Sequence, residues 1–204
     1  MAGGRLEGRV ALVTGASRGF GRAIALAFAR EGARLAANYF ASEREGKDVA
    51  AEAGRLGVEA IALRGDVSQE EDARALIKGT LDRFGRLDIL VNLSSQLAQR
   101  AVGGGGFAAY AATKGAIESL TRALASEVGG HGITVNAISP GGIETDMSKD
   151  VMTPEYRARR LAELPLRRFG DVADVAYCAV VLAADEAGYL TGQILHPSGG
   201  WVSG

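Results

Sequence analysis

Residues 9–21 read R-V-A-L-V-T-G-A-S-R-G-F-G, a pattern of strand, glycine turn and helix start. Val10 to Val13 form a short apolar run typical of a buried parallel strand. Gly15, Gly19 and Gly21 follow, and a helical pattern then begins. Such a turn places several backbone N–H groups and the positive end of a helix dipole at one point, which suits a phosphate group. The spacing is not the common Gly-x-Gly-x-x-Gly fingerprint, so a turn that only joins a strand to a helix is the alternative.

The composition is that of an ordinary folded chain. Its 204 residues are 47% hydrophobic, which allows one sizeable core, so we expect a single domain over residues 1–204. A formal net charge of −1 argues against a nucleic-acid or membrane partner. One cysteine and no signal-peptide pattern favour a cytoplasmic location. The two histidines, His131 and His196, lack ligand-type neighbours, so no metal site is expected.

Strand and helix patterns alternate after the first strand. Further strands are predicted at residues 34–39, 58–63, 87–93, 133–139 and 193–197. The alternation predicts an α/β fold, a Rossmann-type doubly wound parallel sheet with helices on both faces and the ligand at the carboxyl ends of the strands.

The helices carry their own signals. Capping boxes are predicted at Ser42 with Glu45 and at Ser68 with Glu71. Apolar positions at helical spacing predict the buried stripes of two helices, one at Ala73, Leu76, Ile77, Leu81 and Phe84, the other at Ile117, Leu120, Leu124 and Val128.

The end of the second strand indicates which dinucleotide would bind. It carries Asn38 and Tyr39, with no acidic residue to hold a ribose 2′-hydroxyl. Arg18 lies in the glycine turn and Ser42 follows the strand, and a cation with neutral donors favours a 2′-phosphate. NADP(H) is therefore favoured over NAD(H), with a solvated loop arginine as the alternative interpretation of Arg18.

Asp66 and Val67 extend the predicted dinucleotide contacts. They end the third strand, where a carboxylate and a backbone N–H could hold an adenine ring, although an ordinary turn also accounts for Asp66. In this part of the chain the predicted contacts are Gly15, Ser17, Arg18, Gly19, Phe20, Gly21, Asn38, Tyr39, Ser42, Asp66 and Val67.

Tyr110 and Lys114 form a second constellation. A spacing of four places both side chains on one face of a helix. A neighbouring ammonium stabilises a tyrosine phenolate and lowers its pKa from about 10, so the phenol becomes a usable proton donor or acceptor near neutral pH. Tyr-x-x-x-Lys alone also fits an exposed helical pair. Its position after Ser94-Ser95 and a glycine run, in a chain with a dinucleotide turn, favours the catalytic interpretation.

Together these motifs resemble the short-chain dehydrogenase/reductase family over nearly the whole chain, and most closely its branch similar to bacterial 3-oxoacyl-carrier-protein reductases. The resemblance implies that the chain interconverts a ketone and a secondary alcohol on a small-molecule substrate, as a homodimer or homotetramer. The matching elements are Thr14-Gly15-x-x-x-Gly19-x-Gly21, Asp66-Val67, Ser95, Tyr110-x-x-x-Lys114, Asn136-x-x-Ser139-Pro140-Gly141-x-Ile143-x-Thr145 and Thr191-Gly192-Gln193.

The resemblance also implies residue roles. Tyr110 would exchange a proton with the substrate oxygen, Lys114 would hold the nicotinamide ribose and lower the pKa of Tyr110, and Ser95 would hydrogen-bond the substrate oxygen. A variable segment, residues 147–169, would close over substrate, and its three arginines at 157, 159 and 160 are interpreted as a solvated helix face. The further cofactor contacts implied are Asn92, Pro140, Gly141, Ile143 and Thr145, besides Tyr110 and Lys114.

The junction after Asn92 departs from the family pattern. Relatives have an Asn-Asn-Ala-Gly element, a long helix and a fifth strand before the Ser-Ser pair, whereas Asn92 here runs directly into Leu93-Ser94-Ser95. Independently, neighbouring parallel strands need a crossover of about a dozen residues or more, and none lies between Leu87 and Ser95. The fold is therefore expected to be one strand and one helix short. Either the chain carries a deletion, or the sequence omits a segment of a longer protein.

The shortening motivates an alternative function, a non-catalytic or degenerate dinucleotide-binding protein of the same fold. A methyltransferase with another nucleotide-like cofactor is a further alternative, but it leaves Tyr110, Lys114 and Pro140-Gly141 unexplained. If one strand replaces two, Ser95 could be displaced by the strand spacing of about 4.8 Å. We therefore expect a truly shortened chain to bind cofactor and to turn over slowly.

Overall fold

The computed structural model describes residues 4–99, 106–145 and 153–201, and its contacts divide the chain into two compact units. Unit 1 comprises Met1–Leu90 with Ala179–Ala187, and unit 2 comprises Val91–Cys178 with Gly188–Gly204. The single domain over residues 1–204 stays a prediction.

Unit 1 is a parallel sheet with alternating helices. Its strands pair in the order β1-β2-β3, with Val10 opposite Arg34 and Leu35 opposite Ala60. The helices α1 and α2 contact each other and the sheet, whereas α3 contacts all three strands. The elements are β1 (Val10–Val13), α1 (Gly19–Arg30), β2 (Arg34–Tyr39), α2 (Glu43–Arg55), β3 (Ala60–Arg64) and α3 (Glu70–Phe84).

Unit 2 holds a second parallel sheet, in the order β4-β5-β6. Its helix α6 continues into the part of the chain assigned to unit 1. Within the described residues, no helix is both long and apolar enough to span a bilayer. The elements are β4 (Val91–Leu93), α4 (Ala108–Val128), β5 (Asn136–Ile138), α5 (Pro154–Glu163), α6 (Val172–Ala183) and β6 (Ile194–Leu195), with 3₁₀ turns at Gln96–Ala98, Gly129–His131 and Asp185–Ala187.

The predicted α/β fold with parallel strands is therefore confirmed, and several local predictions need correction. Helix α3 begins after Gln69, not after Ser68, because the Ser68 N–H bonds the Asp66 carboxylate in a turn. Ser42 precedes α2 as predicted, but its side chain makes no capping hydrogen bond. On α3, Leu76, Thr80 and Phe84 are the buried residues, whereas Ile77 and Leu81, expected in the stripe, are exposed.

Helix α4 buries a face that periodicity did not predict. Its buried residues are Glu118, Thr121 and Ala125, and Leu120 is 53% exposed. This helix packs on β4 and β5, and the β4 segment presents Asn92 to it: the Asn92 amide donates to the Thr121 hydroxyl at 2.9 Å. The buried face of α4 therefore includes polar residues that bond to the β4 segment, whereas Leu120 of the predicted apolar stripe is exposed.

Residues 87–93, which we call the junction segment, contribute to both sheets. In unit 1, Asp88 exchanges backbone and side-chain bonds with Val10, and Ile89 pairs in parallel with Ala11. In unit 2, Val91–Leu93 pairs with Asn136–Ile138. One run of seven residues, 87–93, thus supplies pairing that the family assigns to two strands, and the expected loss of one strand and one helix is confirmed.

Candidate active site

The glycine turn of unit 1 has a shape that only glycine permits. Gly15 and Gly19 have φ of 60° and 56°, in the left-handed region. A Cβ on Gly21 would lie 2.3 Å from the Gly15 carbonyl oxygen, so any side chain there would clash with the turn. Helix α1 begins at Gly19 and has no acidic residue in its first turn. Its first N–H groups and dipole are therefore available to an anion.

Asn38 fastens this turn to the ends of β2 and β3. Its Oδ1 accepts from Gly15 N–H at 3.1 Å, and its Nδ2 lies 3.2, 3.3 and 3.0 Å from the carbonyl oxygens of Tyr39, Leu63 and Gly65. The side chain is 2% exposed. Asn38 thus holds the turn in place, a role that sequence patterns do not signal because all four partners are backbone groups brought together by the fold.

Arg18 and Tyr39 lie in different environments. Arg18 is exposed at the residue before α1 and has no ion-pair partner among the described residues. Tyr39 is 6% exposed, and its ring packs against Gly46, where a Cβ would approach to 2.6 Å. The remaining predicted contacts in the turn, Ser17 and Phe20, are half-buried.

Asp66 and Val67 lie in the turn after β3. The Asp66 carboxylate accepts from the Ser68 N–H at 3.0 Å, and this bond holds the pKa of Asp66 below its usual value. Asp66 donates its own N–H to Asp72 at 2.8 Å. Val67 is 54% exposed. Both residues therefore remain at the surface of unit 1, close in sequence to the carbonyl that Asn38 contacts.

In unit 2, helix α4 brings Tyr110 and Lys114 together. The Lys114 Nζ lies 5.5 Å from the Tyr110 ring centroid and donates to the Leu93 carbonyl at 3.0 Å. Partial burial lowers the pKa of Lys114, because desolvation disfavours the ammonium. Tyr110 is 44% exposed. The pair therefore has a fixed lysine and a phenol open to solvent, an arrangement suited to proton transfer.

Ser95 begins the 3₁₀ turn that follows β4. It is half-buried, and its Oγ accepts from the Leu97 N–H at 3.3 Å. A hydroxyl that accepts one bond can still donate its own proton, so Ser95 can act as a donor to a substrate oxygen. The preceding residue, Ser94, bonds instead to α4.

The stretch from Pro140 to Thr145 is fixed by its neighbours in unit 2. Pro140 accepts from Gln96 N–H at 3.1 Å, and Gly141 donates to Pro197 at 3.0 Å. A Cβ on Gly141 would lie 2.6 Å from Ser198 Cα, so glycine is required for this close approach. Ile143 is buried and Thr145 half-buried.

The arginines of the substrate segment are not all solvated. Of that segment, residues 147–152 lie outside the described ranges. Arg160 on α5 is 5% exposed, pairs with Glu163 at 2.6 Å and stacks 4.0 Å from the Trp201 ring centroid. The expected solvated face is therefore wrong for Arg160.

In the described part of the chain, no group of three or more His, Cys, Asp or Glu side chains could hold a metal ion.

Two family models match the chain. One, described as short chain dehydrogenase, matches residues 9–101, and the other, described as enoyl-(acyl carrier protein) reductase, matches residues 90–202. The two matches overlap over residues 90–101. Among curated relatives, 3-oxoacyl-(acyl-carrier-protein) reductase FabG of Staphylococcus aureus (strain Mu50) is 36% identical over 238 residues, which cover 93% of this chain and 96% of the relative. This aligned stretch is longer than the chain, so it includes positions that the chain lacks.

Two solved structures are similar to this chain over nearly all of its length. A 7α-hydroxysteroid dehydrogenase complexed with NADH and 7-oxo glycochenodeoxycholic acid is 30% identical, with a TM-score of 0.91 over 98% of this chain and 96% of its own. A blue fluorescent protein from a metagenomic library, in complex with NADPH, is 29% identical. Its TM-score is 0.89, and the match covers 98% of this chain and 100% of that protein.

Asn38→Ala is expected to weaken binding of 2′-phospho-ADP-ribose, because it leaves the Gly15 N–H without its partner and frees the turn. A tenfold rise in Kd corresponds to about 1.4 kcal/mol, the order expected for lost buried hydrogen bonds. Isothermal calorimetry measures it. The control is Thr80→Ala, which removes a buried 2.8 Å bond to the Leu76 carbonyl elsewhere in unit 1. Equal weakening in both variants would assign the effect to general destabilisation.

Proposed function

The chain belongs to the short-chain dehydrogenase/reductase family of NAD(P)-dependent oxidoreductases, and on that premise we propose that it interconverts a ketone and a secondary alcohol with NADP(H). The observation that carries the proposal is the Tyr110–Lys114 pair on α4: the Lys114 Nζ lies 5.5 Å from the centroid of the Tyr110 ring and donates a hydrogen bond to the Leu93 carbonyl. An ammonium beside a phenol on one face of a helix can stabilise the phenolate that proton donation leaves behind.

The chemistry follows from three side chains of unit 2. When bound, NADPH supplies the hydride for the carbonyl carbon. The Tyr110 phenol donates its proton to the carbonyl oxygen, which becomes the alcohol oxygen, and the Lys114 ammonium stabilises the phenolate that remains. The Ser95 hydroxyl donates a hydrogen bond to the same oxygen as negative charge develops on it. In the oxidation direction the Tyr110 phenolate accepts the proton of the alcohol oxygen.

Unit 1 supports the choice of NADP(H). The residues from Asn38 to Ser42 include no carboxylate, so nothing there would repel a 2′-phosphate. Arg18 is exposed beside the turn and is not engaged by any carboxylate of the described residues. A guanidinium binds phosphate oxygens through charge-assisted hydrogen bonds. We assign to Arg18 the recognition of the 2′-phosphate.

We also propose that the chain assembles as a homo-oligomer. Leu120 on α4 is 53% exposed and Phe107, at the residue before this helix, is 47% exposed, so apolar area at this helix remains to be covered.

A non-catalytic dinucleotide-binding protein is the second candidate function, and the seven-residue junction between two sheets favours it, since that junction alters the support of Ser95.

Tyr110→Phe is expected to lower kcat/KM for ketone reduction by about 10²–10⁴-fold, because the proton donor is lost, while the Kd for NADPH stays within twofold. Steady-state kinetics with a β-keto ester and a fluorescence titration measure the two quantities. Tyr189→Phe, at a fully exposed tyrosine, is the control. A wild-type chain that binds NADPH but reduces no ketone supports the second candidate function instead.

Arg18→Ala is expected to raise the Kd for NADPH about tenfold, or about 1.4 kcal/mol, and to leave that for NADH unchanged, since only NADPH carries the 2′-phosphate. Arg30→Ala removes an exposed cation at the other end of α1 and serves as the control. A parallel loss for both cofactors would contradict the assignment.

A chain of these 204 residues, verified by intact mass, is expected to reduce the same ketone at least about a hundredfold more slowly than the Staphylococcus aureus relative, because small displacements of reacting groups have costs of that order. Its affinity for NADPH should be similar. Insertion of the relative's segment between Asn92 and Leu93 should raise the rate. Equal rates for the two unmodified proteins would contradict this expectation.

A further inference from the structure

Glu118 is a buried acid that the proposed chemistry does not use. It lies on α4 one turn after Lys114 and is 5% exposed. Carboxylates are almost never buried unless they are paired or hydrogen-bonded. The partners of Glu118 therefore indicate why the chain keeps an acid at a position that faces the β4 segment.

Both oxygens of Glu118 contact the segment that carries Ser95. Oε1 accepts from the Ser94 hydroxyl at 3.0 Å, and Oε2 accepts from the Gln99 Nε2 at 3.1 Å. The guanidinium of Arg122 lies 3.9 Å away on the solvent side, with its side chain 56% exposed. One carboxylate thus joins the two ends of residues 94–99, which we call the serine turn.

The serine turn is short and internally bonded between these two points. Ser95 Oγ accepts from Leu97 N–H at 3.3 Å, and the Gln99 N–H donates to the Gln96 carbonyl at 3.0 Å. Backbone N–H groups of Ser94 and Gln96 also bond to the Ile138 and Pro140 carbonyls. Glu118 adds a link from each end of the turn to α4, the helix that carries Tyr110 and Lys114.

We propose that Glu118 is a positioning residue, whose buried carboxylate holds the serine turn in register with Tyr110 and Lys114. The inference rests on the proposed function, because register matters for turnover only if Ser95 donates to the substrate oxygen. Groups that must act on one oxygen atom need fixed relative positions, and a misplacement near 1 Å lowers rates on the order of a hundredfold.

The donors and acceptors around Glu118 show which substitution preserves its hydrogen bonds. The Ser94 hydroxyl has one proton and two acceptors at 3.0 Å, Glu118 Oε1 and the Lys114 carbonyl. A glutamine at position 118 would donate to Ser94 Oγ, leave the serine proton for Lys114, and still accept from Gln99. Glu118→Gln therefore keeps both side-chain bonds to the turn. Glu118→Ala removes both, so Gln99 loses its bond to α4 and Ser94 keeps only its bond to the Lys114 carbonyl there.

Kinetics test the proposal. Glu118→Ala should lower kcat for ketone reduction about a hundredfold with the Kd for NADPH within twofold, and Glu118→Gln should stay within about threefold of wild type. Because Glu118 acts through Ser95, adding Glu118→Ala to Ser95→Ala should cause no further loss. The control is Glu127→Ala, an exposed acid on the same helix. Additive losses, or a glutamine variant as slow as the alanine variant, would overturn the proposal.

Two measurements keep the test decisive. If Glu118→Ala does not fold, Gln99→Ala replaces an exposed residue and removes one of the two bonds to Glu118. It should lower kcat by a smaller factor and, like Glu118→Ala, cause no further loss when combined with Ser95→Ala. Hydrogen exchange of peptides covering residues 94–99 needs no activity: it should quicken in Glu118→Ala and not in Glu118→Gln or Glu127→Ala. If wild type reduces no ketone, the proposed function fails by itself. Unchanged exchange in Glu118→Ala would overturn the inference that Glu118 holds the serine turn.

Discussion

The hydrogen-bond pairing of the segment from Asp88 to Ser94 is the constraint on which the rest of the molecule depends. Two of its residues complete the pairing of β1, and the next ones pair with β5. Buried backbone groups must find partners, so a chain without the family's intervening strand and helix has to satisfy both sheets from one run of residues. Ser95 directly follows this paired segment, so the pairing of β4 contributes to its position.

The same segment binds α4 through polar contacts. Three consecutive residues at the end of the strand reach the helix: Asn92 through Thr121, Leu93 through Lys114, and Ser94 through Glu118. Each bond joins a strand residue to the helix that carries Tyr110. Directional bonds fix register in a way that apolar packing does not, because a small slip loses a hydrogen bond but keeps most of a hydrophobic contact. The helix that carries Tyr110 and Lys114 is thereby held by the β4 segment.

The sequence predicted the parts of the fold that local patterns determine. The bounds of β1 and β2 agree with the predicted strands because both are buried, and an apolar run with glycine punctuation identifies such strands. The buried face of α4 was predicted wrongly because periodicity counts apolar residues, whereas Glu118 and Thr121 are buried by partners that lie far along the chain. Arg160 was misjudged for the same reason, since Trp201 and its stacking contact lie 41 residues further on.

The candidate site divides along the same line. In the glycine turn, the shape comes from three glycines within seven residues, so the sequence pattern alone suffices to find it. The arrangement of Ser95 with Tyr110 and Lys114 has no such local origin. It depends on a strand end, a 3₁₀ turn and a buried carboxylate that meet only in the folded unit. A motif search identifies these residues by type and spacing, but whether they work as a set is decided by contacts such as those of Glu118, which no motif includes.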